Sequence, residues 1–257
     1  MPARTAASRN ADRVRLDELL VERGLFASRS RARDAILRGT VTVGGAVADK
    51  PGASTPTDAA IAVSDPAGRY VSRAALKLIA GLDAFGFDPT GRSALDIGAS
   101  TGGFTQVLLE RGAAHVVAID VGHGQMAPQL AADPRVTLLE GVNARDLDAA
   151  PLGGRPVEAI VCDVSFISLK LALPPALAVA MRGAFAVVLV KPQFEAGREA
   201  VGKGGLVDPA VAERVAGELH GWLDEQPGWR VLGMVASPIE GGDGNREFLL
   251  GAVKDRG

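Results

Sequence analysis

Two polar residues stand where apolar stretches of the sequence end. Asp163 is the last residue of the run Ala159–Asp163, and Lys191 is the last residue of Ala184–Lys191. An ammonium group that closes a buried strand is unfavourable unless a carboxylate pairs with it, and Asp163 is the obvious partner. Such a lysine could orient a hydroxyl group or, with a pKa lowered to roughly 7–8, remove its proton. Neighbouring carboxylates raise a lysine pKa and therefore favour orientation, while a purely structural ion pair is the alternative.

A glycine-rich turn follows the apolar residues Leu95-Asp96-Ile97 and opens a helix. Glycines let the backbone approach a ligand closely, and a helix N-terminus offers unpaired N–H groups. The spacing is not the G-x-G-x-x-G of dinucleotide sites, and no P-loop lysine follows. A cationic ligand group facing Asp96, as in S-adenosylmethionine, fits this pattern, and an ordinary turn is the alternative. The expected cofactor-binding residues here are Asp96, Gly98, Ala99, Ser100, Thr101, Gly102, Gly103 and Phe104.

Acidic and amide side chains also follow the next two predicted strands. Asp120 lies 22 residues after Gly98, and a carboxylate at this position can accept hydrogen bonds from both hydroxyls of a ribose. Asn143 follows the third strand and could contact an adenine or its ribose. Because the carboxyl ends of parallel strands meet at one edge, we expect Asp120, Asn143 and Asp163 to share the cofactor site.

Short apolar strands alternate with segments of helical length after about residue 68, which predicts a parallel sheet covered on both faces. The tail differs, since Val231–Ala236 and Glu247–Val253 are separated by a glycine-rich turn and predict an antiparallel pair at one edge. The fold class is therefore α/β, a Rossmann-like and mostly parallel sheet with an antiparallel edge strand. The predicted strands are 95–97, 116–120, 136–139, 159–163 and 184–191, and the predicted helices are 104–111, 125–132, 168–181 and 209–225.

The N-terminal part has a different composition. Residues 1–38 contain nine arginines and five acidic residues, although the whole chain has a formal net charge of −2. Helices are predicted at 14–25 and, capped by Ser28, at 29–37, and short strands flank a loop at 50–57. We predict a small α+β domain at 1–64 with a basic N-terminal arm, a linker at 65–72 and a larger domain at 73–257. The asymmetry suggests an anionic partner, and a solvated helix face is the alternative.

Composition excludes several classes of protein. The single cysteine, Cys162, rules out an internal disulfide and indicates the cytoplasm. The sequence contains no run of 18 apolar residues, so no membrane span is predicted. The polar N-terminus does not resemble a secretory signal. We expect a cytoplasmic monomer without a metal site.

The motifs together resemble the TlyA family, whose members are described both as haemolysin A and as rRNA (cytidine-2′-O)-methyltransferases. The resemblance covers nearly the whole chain after about residue 13. It is carried by Arg15-Leu-Asp-Glu-Leu-Leu, Ser28-Arg-Ser-Arg-Ala, Tyr70-Val-Ser-Arg-Ala-Ala-Leu-Lys-Leu, Asp96-Ile-Gly-Ala-Ser-Thr-Gly-Gly-Phe-Thr, Asp163-Val-Ser-Phe-Ile-Ser-Leu, Val190-Lys-Pro-Gln-Phe-Glu and Gly244-Asn-Arg-Glu-Phe. The first two motifs resemble an S4-type RNA-binding domain, and the others resemble an FtsJ-like methyltransferase.

This resemblance implies a catalytic tetrad of Lys77, Asp163, Lys191 and Glu247, and S-adenosylmethionine as the cofactor. It implies 2′-O-methylation of cytidine in 16S ribosomal RNA, 23S ribosomal RNA or both, free or in assembled ribosomal subunits. In this hypothesis Asp163 and Glu247 hold Lys191, and Lys77 completes the network. The expected RNA-binding residues are Arg15, Ser28, Arg29, Arg31, Arg33 and Arg73.

Three alternatives remain open at this point. A membrane-active haemolysin would need a long cationic amphipathic helix or a span, and the sequence has neither. An RNA-binding protein with an inactive second domain would not need the four tetrad residues. An RNA base methyltransferase often has an Asn/Asp-Pro-Pro-Tyr motif after the fourth strand, whereas this chain has Asp163-Val-Ser-Phe.

Overall fold

The computed structural model describes residues 12–256 and divides into two compact units after Pro66. The predicted basic N-terminal arm, up to residue 11, lies outside the described residues. No helix among residues 12–256 combines the length and hydropathy that crossing a bilayer requires.

The first unit is a small α+β domain built around two helices. Ser28 begins the second helix as expected, because its side chain accepts a hydrogen bond from the Arg31 backbone N–H. The two helices pack through Leu16, Leu20 and Ile36, which are fully buried. The elements are β1 (Arg13–Arg15), α1 (Leu16–Glu22), α2 (Arg29–Leu37), β2 (Val41–Val43), β3 (Ala46–Val47), β4 (Ser54–Pro56) and β5 (Ile61–Val63).

Two predictions for this unit are wrong at their boundaries. The helix expected from Val14 begins at Leu16, because Val14 lies in β1 and pairs with Thr55 of β4. The segment 50–57, expected to be a loop, therefore contains a strand. The pairing joins residues 41 positions apart, and local sequence patterns do not report such contacts.

The second unit is a seven-stranded sheet with helices on both faces. Its strands follow the order β11-β12-β10-β9-β6-β7-β8, and β6 to β10 run parallel. The elements are α3 (Ala75–Phe85), β6 (Ser93–Ile97), α4 (Gly103–Glu110), β7 (His115–Asp120), α5 (Pro128–Ala131), β8 (Val136–Glu140), β9 (Val157–Cys162), α6 (Leu169–Ala172), α7 (Pro174–Val179), β10 (Ala180–Val190), α8 (Pro192–Glu195), α9 (Pro209–Asp224), β11 (Trp229–Ala236) and β12 (Phe248–Lys254).

The sheet confirms the predicted fold class. Apolar residues on its two faces form two separate core clusters, one with α3 and α4 and the other with α6, α7 and α9. This double burial explains why the central strands are apolar throughout. The antiparallel pair of the tail lies at one edge, and the reversed strand β12 is inserted between β10 and the outermost strand β11.

Prolines account for the main difference in the helices. The single helix expected at 168–181 is two short helices, because Pro174 and Pro175 have no N–H with which to continue α6. Similarly, α5 begins only at Pro128 and lasts four residues, not the eight expected at 125–132. Residues 180 and 181 already belong to the long strand β10.

One edge of the sheet receives most of the polar residues noted above. The carboxyl ends of β6, β7, β9 and β10 meet there, and a ligand site is expected where the chain leaves the sheet in opposite directions from neighbouring strands. Because β12 is antiparallel and Phe248 pairs with Val190, the residue before β12 reaches the same edge. Glu247 therefore lies at the same edge of the sheet as Lys191, although Glu247 precedes a strand and Lys191 follows one.

Candidate active site

The glycine-rich turn between β6 and α4 lies directly against the end of β9. Gly98 has a φ of +80°, and a Cβ there would stand 2.7 Å from the Asp163 backbone oxygen. Gly102 has a φ of +94°, and its Cβ would stand 2.5 Å from Leu130 Cδ1. Gly98 therefore requires glycine for conformation and for space, and Gly102 requires it for conformation. The turn is held so close to β9 that the glycine-rich turn and Asp163 form one wall.

Asp96 is fully buried below this turn. Its Oδ2 accepts a hydrogen bond from Thr105 Oγ1 at 2.6 Å, and Oδ1 has no hydrogen-bond partner among the described residues. Burial raises the pKa of the Asp96 carboxyl to about 7, and Thr105 opposes the shift. Asp96 thus ties the end of β6 to α4 and has one oxygen without a partner among the described residues. Thr105 was not among the predicted site residues, since nothing in its spacing separates it from an ordinary helix residue.

Asp120 connects the turns that follow β6 and β7. Its Oδ2 accepts from the Ser100 N–H and its Oδ1 from the Gly122 N–H, both at 2.7 Å. Each carboxylate oxygen can accept a second hydrogen bond, so capacity for a ligand hydroxyl remains. Asn143 lies nearby, and its Oδ1 accepts from the Arg145 N–H at 3.1 Å.

Two adjoining cavities open at this edge of the sheet. The larger, about 970 Å³, is within the range that holds nucleoside-sized ligands, and the smaller is about 150 Å³. Asp120 and Asn143 line the larger cavity, and Lys191 lines the smaller. The residues that line both cavities are Gly98, Ser100, Asp163 and Ser165.

Lys191 and Asp163 form the expected pair in the wall of these cavities. Lys191 Nζ lies 2.6 Å from Asp163 Oδ1, and their side chains are 12% and 14% exposed. The contact is Coulombic, because this oxygen receives no hydrogen bond of regular geometry from the described residues. Lys191 Nζ instead donates a hydrogen bond to Ser165 Oγ at 2.8 Å. A lysine ammonium group that is partly exposed beside a cavity can bind an oxygen atom of a ligand.

Lys77 and Glu247 form a second pair, which is more deeply buried. Lys77 Nζ donates to Glu247 Oε2 at 2.5 Å, and the side chains are 7% and 2% exposed. Burial raises the pKa of Glu247, and the charge of Lys77 opposes the shift. The expectation that Glu247 grips Lys191 is therefore wrong as to its direct partner. The lysine of α3 takes this carboxylate, and Lys191 acts on it only through its charge.

Further side chains at the site were not predicted from the sequence. Phe166 has a φ of +66° and is 90% exposed, and its ring centroid lies 4.9 Å from that of Phe194. Both rings line the larger cavity. Glu195 accepts hydrogen bonds from Ser168 Oγ at 2.6 Å and from the Leu169 N–H at 2.7 Å. It thereby ties the segment after Lys191 to the segment after Asp163.

Several of the predicted RNA-binding residues make internal contacts. Arg15 and Arg29 both contact the buried carboxylate of Asp17, and Arg29 also lies 2.9 Å from Glu18. The hydrogen bond from Arg15 is the main reason that the pKa of Asp17 is lowered. The side chains of these arginines are nevertheless about half exposed.

The other members of the predicted RNA-binding set have different roles or positions. The side chain of Ser28 caps α2, which is a structural role. Arg33 is exposed, whereas Arg31 is partly buried on the same helix. Arg73 belongs to the second unit, where its guanidinium lies beside Gly242.

Comparison with known proteins decides the family. The chain matches the model of the FtsJ-like methyltransferases over residues 70–254 and the model of the S4 domain over residues 14–53. This chain belongs to the FtsJ-like methyltransferase family. The larger unit is thus a methyltransferase domain, and the resemblance that the motifs indicated is confirmed.

Two relatives that match over nearly the whole chain bear the TlyA and hemolysin names. The chain is 49% identical to the 16S/23S rRNA (cytidine-2′-O)-methyltransferase TlyA of Mycobacterium tuberculosis, over 93% of this chain and 90% of that protein. It is 40% identical to hemolysin A of Brachyspira hyodysenteriae, over 92% and 98% of the two chains. A solved structure of a Streptococcus thermophilus protein described as a candidate hemolysin superposes with a TM-score of 0.73 at 38% identity, over 95% and 90% of the two chains.

Proposed function

We propose that this enzyme transfers a methyl group from S-adenosylmethionine to the ribose 2′-hydroxyl of cytidine in ribosomal RNA. One observation carries the proposal. Lys191 and Asp163 pair in a wall that adjoins the glycine-rich turn, so an acceptor held by Lys191 lies beside a ligand held by that turn. The M. tuberculosis relative, which is named for this reaction, supplies the nucleotide and the RNA.

The residues present fit S-adenosylmethionine. The glycine-rich turn lines both cavities through Gly98 and Ser100, and the unpartnered Oδ1 of buried Asp96 suits a cationic group. Asp120 keeps acceptor capacity for ribose hydroxyls, and Asn143 stands beside it in the larger cavity. When bound, the cofactor supplies a methyl group made electrophilic by its sulfonium.

The chain's own residues then act on the acceptor. Lys191 donates an N–H to the 2′-oxygen and fixes its direction, and Asp163 keeps the ammonium at the cavity wall. The 2′-hydroxyl releases its proton to the solvent that the open cavity admits, and the ammonium stabilises the negative charge that develops on the oxygen as it takes the methyl group from the sulfonium. Alignment of two bound groups supplies a large share of the acceleration in such a displacement. Lys77 and Glu247 hold α3 and the start of β12 in register behind Lys191.

An exposed aromatic ring supports a nucleotide acceptor. Phe166 stands in the wall of the larger cavity, next to Ser165 and three residues after Asp163 along the same segment. A base drawn out of an RNA helix can stack on such a ring, since proteins that read unpaired bases commonly use aromatic side chains. The S4 domain, with Arg15, Arg29, Arg31 and Arg33, binds the RNA backbone in this proposal, and Arg73 binds it near the site.

The decisive experiment is a methylation assay with nucleoside analysis. Labelled S-adenosylmethionine is incubated with the protein and with 16S or 23S RNA, each free and within assembled subunits, and the digested nucleosides are separated. We expect 2′-O-methylcytidine. A base-methylated nucleoside would reject the hydroxyl as acceptor, and no label in any RNA would reject the substrate class.

The role of the S4 domain has its own test. Reversing two charges, in Arg29→Glu with Arg31→Glu, should weaken RNA binding and flatten its dependence on salt, because fewer counterions are released. The salt dependence of the dissociation constant measures this directly. A slope equal to that of the unmodified protein would remove these arginines from the interface.

A further inference from the structure

Ser165 is the one hydrogen-bonding partner that the described residues give to the Lys191 ammonium. Its Oγ accepts from Lys191 Nζ at 2.8 Å, whereas the 2.6 Å contact with Asp163 Oδ1 lacks regular hydrogen-bond geometry. A Coulombic contact draws the charge toward the carboxylate but leaves the N–H directions open. The serine contact fixes a direction.

The segment that carries Ser165 is held at both ends. The Asp163 N–H donates to the Ile97 carbonyl of β6 at 2.9 Å, and Glu195 holds Ser168 and Leu169. Ser165 is exposed and lines both cavities, so no packing requirement explains a hydroxyl at this position. The hydroxyl meets Lys191 at the boundary between the two cavities.

We propose that Ser165 is a positioning residue that sets the orientation of the Lys191 ammonium toward the acceptor hydroxyl. A lysine ammonium has three N–H donors in fixed relative directions, on a long and flexible side chain. With one donor fixed on Ser165 Oγ, rotation about the Cε–Nζ bond is restricted, and the other two directions follow. One of them then serves the acceptor oxygen while the ammonium stays against Asp163. The inference rests on the proposed transfer to a hydroxyl.

The test compares three forms of the full-length protein in the methylation assay. Ser165→Ala removes the hydroxyl and should lower kcat by about 10- to 100-fold, the equivalent of one hydrogen bond to a charged group. The KM for RNA and the dissociation constant for S-adenosylmethionine should stay within about twofold, because the hydroxyl acts through Lys191. Ser165→Thr retains a hydroxyl on the same carbon and should restore most of kcat.

The outcomes separate this inference from the proposed function. Failure of the unmodified protein to methylate RNA would reject the function itself. An active unmodified protein with a fully active Ser165→Ala would overturn the role of Ser165. Equal losses in the Ala and Thr variants would also overturn it, because the shape of the segment and not the hydroxyl would then matter. Ser64→Ala changes an exposed serine of the first unit and is the matched control. Thermal unfolding checks that each variant folds.

Discussion

The two lysine–carboxylate pairs of this enzyme use the same chemistry in different surroundings. Lys191 and Asp163 lie 2.6 Å apart with 12% and 14% of their side chains exposed, and both line a cavity. Lys77 and Glu247 lie 2.5 Å apart with 7% and 2% exposed, and neither lines the two cavities. Burial, more than residue type, therefore separates the pair that can meet a substrate from the pair that holds the frame.

The difference has an energetic side. Removing one partner of a buried ion pair leaves an uncompensated charge, whereas a pair at a cavity wall can recruit water. Glu247 already shows the effect, since burial raises its pKa even with Lys77 beside it. Mutations in the two pairs should thus separate into losses of activity and losses of stability.

The largest effect is expected from Lys191→Ala. Loss of the ammonium removes the group that orients the acceptor, and methyl transfer should fall by about 10²–10⁴-fold. The affinity for S-adenosylmethionine should stay near that of the unmodified protein, because the substitution leaves Asp96, Asp120 and the glycine-rich turn, which hold the cofactor in the proposal, unchanged. Single-turnover transfer and calorimetric binding measure the two quantities. Full activity in this variant would remove Lys191 from the mechanism.

Lys77→Met should act on stability first. Glu247 would then be buried without its partner, and the free energy of unfolding at neutral pH should fall by about 3–5 kcal/mol. Urea denaturation measures the loss of unfolding free energy. Lys191→Met is the matched variant, and it should lose clearly less, because the carboxylate that it leaves unpaired, Asp163, is less buried than Glu247.

The double variant Lys77→Met with Glu247→Leu sharpens the same test. It removes both buried charges and should therefore recover most of the lost unfolding free energy. Methyl transfer should still be lower than in the unmodified protein, because the start of β12 is no longer fixed to α3. If Lys77→Met and Lys191→Met were equally destabilised, the contrast between the two pairs would fail.

Asp96 provides a third case, a buried carboxylate without a lysine. Its pKa of about 7 in the folded protein lies above its ordinary value of 3.8. Between these values the folded protein keeps a proton that the unfolded chain has lost, so stability falls as pH rises toward 7. The shift corresponds to at most about 4 kcal/mol. Asp96→Asn should flatten the dependence of the ligand-free protein's unfolding free energy between pH 5 and 7, and an unchanged slope would assign it to other groups.

The sequence predicts the members of these pairs better than their pairing. Asp163 and Lys191 end neighbouring parallel strands, so their encounter follows from strand order alone. Glu247 precedes a strand that enters the sheet antiparallel beside β10, and only this insertion brings it to Lys77. Local patterns carry no information on which strands become neighbours across such distances.

Single side chains show the same limit of prediction from local sequence. Phe166 would ordinarily be expected in the core, but it is 90% exposed and has a backbone φ of +66°, and its residue type predicts neither property. The arginines of the first unit were noted for their charge, but the contact of Arg29 with Asp17 depends on how α1 and α2 pack. Patterns of spacing locate a site, and packing decides the state of each group in it.

The smallest effect is expected from Glu195, which ties together the segments that follow Lys191 and Asp163. Glu195→Ala removes the acceptor of two hydrogen bonds, to Ser168 Oγ and the Leu169 N–H, and should lower kcat by about tenfold, since small displacements of reacting groups are costly. Glu195→Gln can still accept from Leu169 and donate to Ser168, so its kcat should stay within about threefold. Neither variant should disturb Lys77 and Glu247, whose contact lies on α3 and β12. A kcat for Glu195→Ala equal to that of Glu195→Gln would mean that the Lys191–Asp163 pair keeps its geometry without this tie.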